Sequence, residues 1–370
     1  MRRSTTPREQ GSGPIEYIAV VALIALISSA VLVSDVGAKV VAACESAICR
    51  VAGADCPALR AGDSGRVELP GAAAIPDRSP SRPPIPKPVC TPDPGGAWVE
   101  RLHAHNDYEN ANPLEDALGN GATSVEPDVW LDENGRLQLK HDETDRSRGT
   151  LRDVYVDPLI ARAAKNGGQI YQGRDQPFEL ILEVKHGDDS VYQKILDETR
   201  GLPPGVHVII PDGTPGASMG KQPPGVFFYG TLGKDCSLPL ELDPANPRYD
   251  RERAKHYTML NGAWADCADR DKNGKISESE QEAFNEVVRR AHDAGLKVRI
   301  WGGPDGTKRL GSNKSPGEFA SCPRRPWAQK CDRSAQRAWW RAQQDAGADY
   351  LVTNHLGQGG TFLRTCGDEK

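Results

Sequence analysis

Residues 178–211 read FELILEVKHGDDSVYQKILDETRGLPPGVHVIIP, and this stretch decides the predicted fold. An apolar run, Phe178–Lys185, is followed by a helical pattern over residues 190–200, which Gly201 ends. A second apolar run, Val206–Pro211, completes a strand–helix–strand unit. A unit of this kind predicts an α/β fold, in which helices pack on a mostly parallel sheet.

The same alternation of short apolar runs and helical patterns continues from Trp98 to the C-terminal end. Eight predicted strands in this order favour a (β/α)8 TIM barrel over an open doubly wound sheet. No GxGxxG turn follows the first run, which argues against a Rossmann fold. Leu137–His141 is a ninth apolar run, predicted to extend the second strand or to form a short hairpin arm. The other predicted strands are Val99–His103, Ser124–Leu131, Val226–Tyr229, His256–Leu260, Val298–Trp301 and Tyr350–Thr353.

Further helices are predicted from caps and apolar stripes. Asn112-Pro113-Leu114-Glu115 combines an N-cap, a proline at the first helical position and a capping-box glutamate, and Gly121 ends that helix. Apolar stripes at helical spacing run from Phe284 to Ala291 and from Ala335 to Ala346, and a glycine follows each of them.

The N-terminal segment is predicted to direct export. An apolar run of 17 residues, Tyr17–Val33, follows the positively charged Arg2, Arg3 and Arg8. The run is just long enough to span a bilayer, and the positive residues predict that the N-terminus stays cytoplasmic while the rest is exported. An uncleaved anchor, a processed leader and a signal cleaved near Ala38 are all open, and each of them exports the domain.

The segment GSGPIEY at residues 11–17 resembles the leader of type IVb (Flp/Tad) pilins. In that family a peptidase cuts after a glycine, and a glutamate stands five residues into the mature chain. Cleavage after Gly11 would place Glu16 at that position. The Pro-, Gly- and Ala-rich stretch that follows shows no apolar period and predicts a linker. The predicted division is a pilin-like leader or membrane anchor over residues 1–40, a linker over 41–95 and the barrel domain over 96–370.

Composition limits the partners and the redox state. The formal net charge is −5 and the sequence pI is about 6.0, so no basic footprint indicates nucleic acid as a partner. Nine cysteines lack any CxxC pair, and in an exported protein such cysteines form disulfides. Cys322 and Cys331 flank a short loop that contains prolines and are the first pair expected, and the odd count leaves one thiol over.

Polar residues cluster at the carboxyl ends of the first three predicted strands. The first strand ends in HAHND at residues 103–107, and the second carries Glu126 and Asp128 on one face. The third carries Glu183 and Lys185, also on one face. In a TIM barrel these ends converge on one mouth. A charge facing the barrel core is unfavourable unless it is paired or bound to metal, so the three carboxylates predict an oxygen-ligand site for Mg²⁺ or Ca²⁺.

These residues resemble a known family, the glycerophosphodiester phosphodiesterase and sphingomyelinase D branch of the phosphatidylinositol-phospholipase-C-like barrels. The motifs His105-Asn106-Asp107-Tyr108, Ser124-Val125-Glu126 and His141-Asp142 are especially similar to the fungal altered-inheritance-of-mitochondria subgroup. The resemblance spans the chain from Leu102 to the C-terminal end and is strongest through Lys185.

The resemblance implies roles for six residues. His105 and His141 match the two catalytic histidines, and His103 remains the alternative to His105 because it could share the same face. Lys185 matches a lysine that contacts the phosphate. The metal ligands are matched by Glu126, Asp128 and Glu183.

The implied reaction is substitution at phosphorus in a diester. A cation and Lys185 would neutralise charge on the phosphoryl oxygens. One histidine would deprotonate water or a neighbouring substrate hydroxyl, which would give a cyclic phosphate first, and the other would protonate the leaving alcohol. Asn106 stands where glycerophosphodiesterases have an arginine, and Pro127 lacks an N–H and interrupts strand pairing. Both departures concern the substrate more than the reaction.

Residues 269–280, DRDKNGKISESE, fit the EF-hand calcium loop, with Gly274 at the turn and Ile276 as the apolar anchor. An amphipathic helix is predicted to leave this loop, and no helix is predicted to enter it. Outside the cell, where Ca²⁺ is plentiful, the loop predicts a structural staple. The predicted ligands are Asp269, Asp271, Asn273, Lys275 through its carbonyl, and Glu280, with Ser277 at the ninth position.

The sequence therefore predicts an exported, metal-dependent phosphodiesterase that hydrolyses glycerophosphodiesters or related phospholipid diesters. Within enzymes, the alternative is a phospholipase C or D that acts on a membrane lipid, held there by the N-terminal helix. A barrel that has lost catalysis and serves as a calcium-binding surface protein is the alternative from another class. The joint presence of both histidines and all three carboxylates argues against that loss.

Overall fold

The computed structural model describes residues 78–273, 275–304 and 334–367, and strands alternate with helices along them. The strands are β1 Leu102–Ala104, β2 Ser124–Val125, β3 Asp128–Leu131, β4 Leu137–Leu139, β5 Phe178–Ile181, β6 Glu183–His186, β7 Val206–Pro211, β8 Val226–Thr231, β9 Tyr257–Ala263, β10 Lys297–Trp301 and β11 Leu351–Thr353. The helices are α1 Glu115–Gly119, α2 Asp157–Lys165, α3 Val191–Glu198, α4 Arg251–Ala254, α5 Trp264–Cys267, α6 Glu278–Asp293, α7 Ser334–Ala346 and α8 Leu356–Arg364.

Eight of these strands form a parallel sheet in the order β11, β1, β2, β5, β7, β8, β9, β10. The two end strands meet at the junction of Asp349 and Val298. The Asp349 N–H donates to the Val298 carbonyl at 3.0 Å, and the Val298 N–H donates to Asp349 Oδ2 at 2.7 Å. These bonds bring the sheet almost to closure, and the predicted TIM barrel is confirmed.

The second and third barrel strands are each interrupted. Pro127 separates β2 from β3, as its missing N–H predicts, and Leu182 separates β5 from β6. Beyond the breaks, the chain forms a separate sheet of three strands in the order β4, β3, β6. β3 and β4 are antiparallel, so the ninth apolar run is the predicted hairpin arm.

The helix predicted after the first strand begins later than expected. α1 starts at Glu115 rather than at Pro113, because the Leu114 N–H donates to the buried Asp107 carboxylate at 2.6 Å and Leu114 has a φ of 62°. α2, which follows a π-helical turn over Arg152–Val156, is a helix that the sequence analysis did not identify.

A proline-rich segment at residues 78–97, which we call the strap, packs against the barrel at the face opposite the mouth. The Ile85 N–H donates to the His292 carbonyl at the end of α6, at 2.9 Å. Gly295 lies against the strap with a φ of 74°, and a Cβ there would lie 2.6 Å from the Cβ of Arg82. The strap is therefore packed onto the barrel along its length, unlike a free linker.

The strap belongs to the same compact unit as the barrel, whereas the sequence predicts that the barrel domain begins at residue 96. The predicted leader over residues 1–40 lies outside the described residues. In the described ranges, no helix combines the length and the hydropathy that a bilayer crossing requires.

Two disulfides join distant parts of the described chain. Cys90–Cys366 fastens the strap beyond the end of α8, and Cys236–Cys267 joins the segments that follow β8 and β9. The expected pair Cys322–Cys331 lies outside the described residues.

Loss of the strap disulfide should destabilise the protein more than loss of the other bond. Cys90–Cys366 spans 276 residues and Cys236–Cys267 spans 31. The chain-entropy model assigns about 2 kcal/mol more stabilisation to the longer loop. Urea unfolding of the two double serine variants, Cys90→Ser/Cys366→Ser and Cys236→Ser/Cys267→Ser, measures the difference. Equal losses in the two variants would contradict this expectation.

Candidate active site

The first strand places one histidine in the barrel interior and one at the mouth. His103 is fully buried, whereas the His105 side chain is 23% exposed. His105 Nδ1 lies 3.1 Å from Asn354 Oδ1, and its Nε2 lies 3.8 Å from Glu126 Oε2. His105 is thus the histidine that a ligand in the mouth can reach.

Both ring nitrogens of His103 are engaged inside the barrel. Nδ1 lies 2.9 Å from Ser124 Oγ, and Nε2 accepts the Arg299 Nε–H at 3.1 Å. Burial lowers the pKa of His103 to about 4, against the opposing hydrogen bond to Glu126. A buried, neutral and fully bonded ring does not suit proton exchange with a substrate, so the geometry favours His105 over this alternative.

Glu126 is buried and forms an ion pair that the sequence analysis did not foresee. Its Oε2 accepts a hydrogen bond from the Arg299 guanidinium, and the two side chains are 1% and 2% exposed. Burial alone would raise the pKa of Glu126, but the charges of Arg299 and His105 hold it well below its usual range. The one sequence signal for Arg299 is an arginine in the middle of the apolar run Val298–Trp301.

Asp128 is fully buried, and its negative charge is compensated by fewer close contacts than that of Glu126. Its Oδ2 accepts the Tyr108 hydroxyl at 2.9 Å and lies 3.6 Å from Lys185 Nζ. Its Oδ1 has no hydrogen-bond partner in the described part of the chain. Burial raises the pKa of Asp128 well above its usual value; Lys185 opposes this rise, and the charges of Glu183 and Glu126 add to it.

Lys185 lies at a β-bulge and faces these carboxylates. Asp128 lies opposite Glu183 in the β3–β6 pairing, but Trp130 lies opposite His186, so Lys185 is the extra residue. Its Nζ lies 3.0 Å from Glu183 Oε1. Burial would lower the pKa of Lys185, but the two carboxylates raise it above its ordinary value, so the side chain carries a fixed positive charge.

The three predicted metal ligands are neighbours that do not form a closed cluster. Asp128 and Glu183 lie side by side in register, while Glu126 is paired with Arg299. Over the described residues, one group of three carboxylates offers oxygens that all lie within 4.8 Å of one another, and it is not this group.

His141 lies at the end of the hairpin arm, beyond β4. Its side chain is 35% exposed, and its Nδ1 lies 2.8 Å from Asp142 Oδ1. No hydrogen bond or ion pair joins it to Glu126, Asp128 or Glu183, all of which are described. The structure therefore joins five of the six predicted residues in two bonded groups, His105 with Glu126 and Lys185 with Asp128 and Glu183, and it bonds His141 to neither group.

The loop after β1 depends on a buried carboxylate to which the sequence analysis gave no role. Asp107 is fully buried and accepts hydrogen bonds from the Tyr155 hydroxyl at 2.9 Å and from Asn110 Nδ2 at 3.0 Å. These bonds hold the loop in place, and the next residue along it, Tyr108, reaches Asp128. The only sequence signal was the position of both residues directly after the histidines.

The predicted calcium loop lies between α5 and α6, on the mouth side of β9. One carboxylate oxygen each from Asp269, Asp271 and Glu280 lie within 4.8 Å of one another, so the described residues include an acidic group suited to a metal. Asn273 and Lys275 lie in the same turn, where the Lys275 N–H donates to Asn273 Oδ1 at 2.8 Å. Three of the five predicted ligands, Asp269, Asp271 and Glu280, thus lie close together.

The fold class is a parallel eight-stranded barrel that carries histidine, lysine and carboxylate side chains at its mouth. Residues 97–202 match the model of the AIM6-like phosphodiesterase domain. This match confirms the predicted resemblance to the fungal subgroup of the phosphatidylinositol-phospholipase-C-like barrels. Residues 97–202 are therefore similar to a phosphodiesterase domain.

Among individual proteins, altered inheritance of mitochondria protein 6 of Lachancea thermotolerans is 25% identical over 301 residues, which cover 70% of this chain and 64% of that protein. Its counterpart in Kluyveromyces lactis is 41% identical over 110 residues, or 28% of this chain and 25% of that protein. The chain thus spans less than two thirds of the length of these relatives. A glycerophosphodiester phosphodiesterase structure from Parabacteroides distasonis aligns with a TM-score of 0.41 and 14% identity, covering 73% of this chain and 99% of that one.

In EDTA, Asp128→Asn should be more stable than the unsubstituted protein by about 1–3 kcal/mol, because it removes a buried charge that Lys185 and the Tyr108 hydroxyl compensate only in part. Asparagine keeps an oxygen for the Tyr108 hydroxyl and removes the buried charge. Glu133→Gln, at an exposed position in the β3–β4 turn, is the matched control and should leave stability unchanged. Urea unfolding measures all three, and a destabilised Asp128→Asn would show that the carboxylate is well compensated without a cation.

Proposed function

We propose that this protein is an exported, metal-dependent phosphoric diester hydrolase that acts on glycerophosphodiesters or related phospholipid diesters. The observation that carries the proposal is the buried Asp128 carboxylate, whose Oδ1 lacks a partner among the described residues. Lys185 Nζ lies 3.6 Å from its Oδ2, and the partly exposed His105 lies beside Glu126, two residues before Asp128 in the sequence. A site for a cation, a fixed positive charge and a reachable histidine are the groups that substitution at phosphorus requires.

The donor set fits a hard divalent cation. Asp128 Oδ1 is an orphaned buried oxygen, and Glu183 lies opposite Asp128 in register. Carboxylate oxygens are the ligands that Mg²⁺ and Ca²⁺ prefer. We propose that Asp128 and Glu183 hold the cation.

The remaining residues would handle charge and protons. The bound cation supplies positive charge for the phosphoryl oxygens. Lys185 adds a second positive charge from the bulge in β6. The Nδ1–H of His105 faces Asn354 Oδ1, which leaves Nε2 for proton transfer. We assign the other proton transfer to His141, and either histidine can serve as the base.

Export is supported by two features of the chain. The described residues contain two disulfides, which persist in oxidising compartments. The apolar run Tyr17–Val33, preceded by arginines, suits a membrane anchor or a processed leader. We propose a catalytic domain outside the cytoplasm, anchored to the membrane or secreted.

We further propose that the 269–280 loop binds Ca²⁺ as a structural ion. The EF-hand sequence pattern and the proximity of the Asp269, Asp271 and Glu280 oxygens support this assignment. The loop follows Cys267, which is bonded to Cys236, and the Arg270 guanidinium lies 3.4 Å from the Asp235 carbonyl. A bound ion would fasten the segments that follow β8 and β9 at the mouth.

Loss of either histidine should reduce hydrolysis of glycerophosphocholine by about 100-fold or more, the range typical of general acid–base catalysis. Bis-p-nitrophenyl phosphate separates the two roles, because its leaving group needs no proton. The variant that lacks the general acid, His105→Ala or His141→Ala, should therefore lose less activity on this substrate. His256→Ala, at the opposite end of the barrel beside Gln222, is the control. Unchanged rates in a folded His105→Ala protein would refute the assignment.

Removal of one loop carboxylate should reduce stabilisation by Ca²⁺. Glu280→Gln keeps the capping box with Ser277 that begins α6 but loses a carboxylate oxygen. Glu278→Gln, two residues earlier and outside the ligand pattern, is the matched control. The rise in melting temperature from EDTA to Ca²⁺ should be larger in the unsubstituted protein and in Glu278→Gln than in Glu280→Gln. A rise of equal size in all three proteins would place the stabilising ion elsewhere.

A further inference from the structure

Arg299 lies in the middle of β10 and points into the barrel, with 2% of its surface exposed. All three nitrogens of its guanidinium are bonded. Nε donates to His103 Nε2 at 3.1 Å and Nη1 donates to Asn261 Oδ1 at 2.9 Å, while Nη2 donates to Glu126 Oε2. A group so fully satisfied is a fixed internal cation.

This cation changes what Glu126 requires. Glu126 is 1% exposed, and its Oε2 already accepts a charge-assisted hydrogen bond from Arg299. The same oxygen lies 3.4 Å from His103 Nε2 and 3.8 Å from His105 Nε2. Its charge is therefore balanced without any bound metal.

The charge of Asp128, unlike that of Glu126, is not balanced by a cation of its own. Lys185 Nζ lies 3.6 Å from its Oδ2, and that ammonium is shared with Glu183 at 3.0 Å. One cation thus faces two carboxylates, which leaves an excess of one negative charge on this side of the mouth. The buried oxygen without a partner, Oδ1 of Asp128, is on this side as well.

We propose that Arg299 is a built-in counter-charge that divides the three carboxylates into two kinds. Asp128 and Glu183 hold the divalent cation, whereas Glu126 stays paired with Arg299 and serves as a positioning residue beside His105. This inference rests on the proposed metal site and narrows its ligand set. It departs from the equal roles that the family resemblance implies for the three residues.

Mn²⁺ binding to the purified full chain, measured by calorimetry and electron paramagnetic resonance, tests the division. All proteins carry Glu280→Gln, so that the calcium-type loop does not contribute. Asp128→Asn and Glu183→Gln should each weaken Mn²⁺ binding at least tenfold. The double variant Glu126→Gln/Arg299→Met removes both buried charges together and should change Mn²⁺ affinity less than threefold. A loss in the double variant as large as in Asp128→Asn would make Glu126 a ligand and overturn the proposal.

Arg299→Met alone supplies a readout that a merely structural arginine would not give. It leaves Glu126 buried without a counter-charge, so Mn²⁺ affinity should rise at least threefold while the melting temperature falls. Unchanged or weaker binding by the folded variant would contradict the proposal, and the double variant decides the question if the single variant does not fold. Mn²⁺ binding is measured without turnover. Inactivity toward every diester would therefore refute the proposed function, but the Mn²⁺ affinities would still decide whether Glu126 is a ligand.

Discussion

The ion pair between Arg299 and Glu126 is the constraint on which the arrangement of the mouth depends. Both side chains lie inside the barrel, where an unpaired charge would be strongly unfavourable. His103 and Asn261 bind the rest of the guanidinium, so the polar interior is bonded across the barrel from β1 to β10. With that network satisfied, the uncompensated charge is left on Asp128, close to the solvent-accessible end of the barrel.

Interruptions in two strands set the position of the neighbouring groups. Pro127 ends the β2 pairing, and beyond the break β3 pairs with β6 in a separate small sheet. Lys185 lies at the bulge in that pairing and contacts both Asp128 and Glu183. Alternation along β6 places Lys185 on the face of Glu183, and the bulge leaves Lys185 without a partner opposite it on β3. The departures from regular strand geometry therefore coincide with the groups that carry chemistry.

The face of the barrel opposite the mouth is covered by the strap. The strap crosses it and is tied to the C-terminal end of the chain through Cys90–Cys366. Gly295 makes room for the strap backbone where a side chain would collide with Arg82. These contacts fasten the face remote from the mouth, so the loops at the mouth are free to serve the site. This division is typical of TIM barrels, in which one end provides stability and the other provides function.

Much of the fold followed from local pattern, because apolar periodicity and turn residues act within a few positions of one another. The strand order, the hairpin arm and the break at Pro127 were all predictable in this way. The start of α1 was not, because the Leu114 N–H is taken by Asp107, and nothing in the local sequence marks Asp107 as buried. The packing of the strap was also hidden, since a proline-rich segment has no apolar period whether it is free or bound.

For the site, the sequence by itself determined which residue types stand at the strand ends. Side-chain alternation along a strand and the family motifs can both be recognised from residues that are neighbours in the sequence. It placed His103 and His105 on one face without distinguishing them, because depth along the barrel axis separates the buried ring from the exposed one. Only the tertiary structure decided which carboxylate is paired and which is left bare. The partner of Glu126 is Arg299, which lies 173 residues away on another strand. Because both charged groups are buried, each needs the other as a counter-charge.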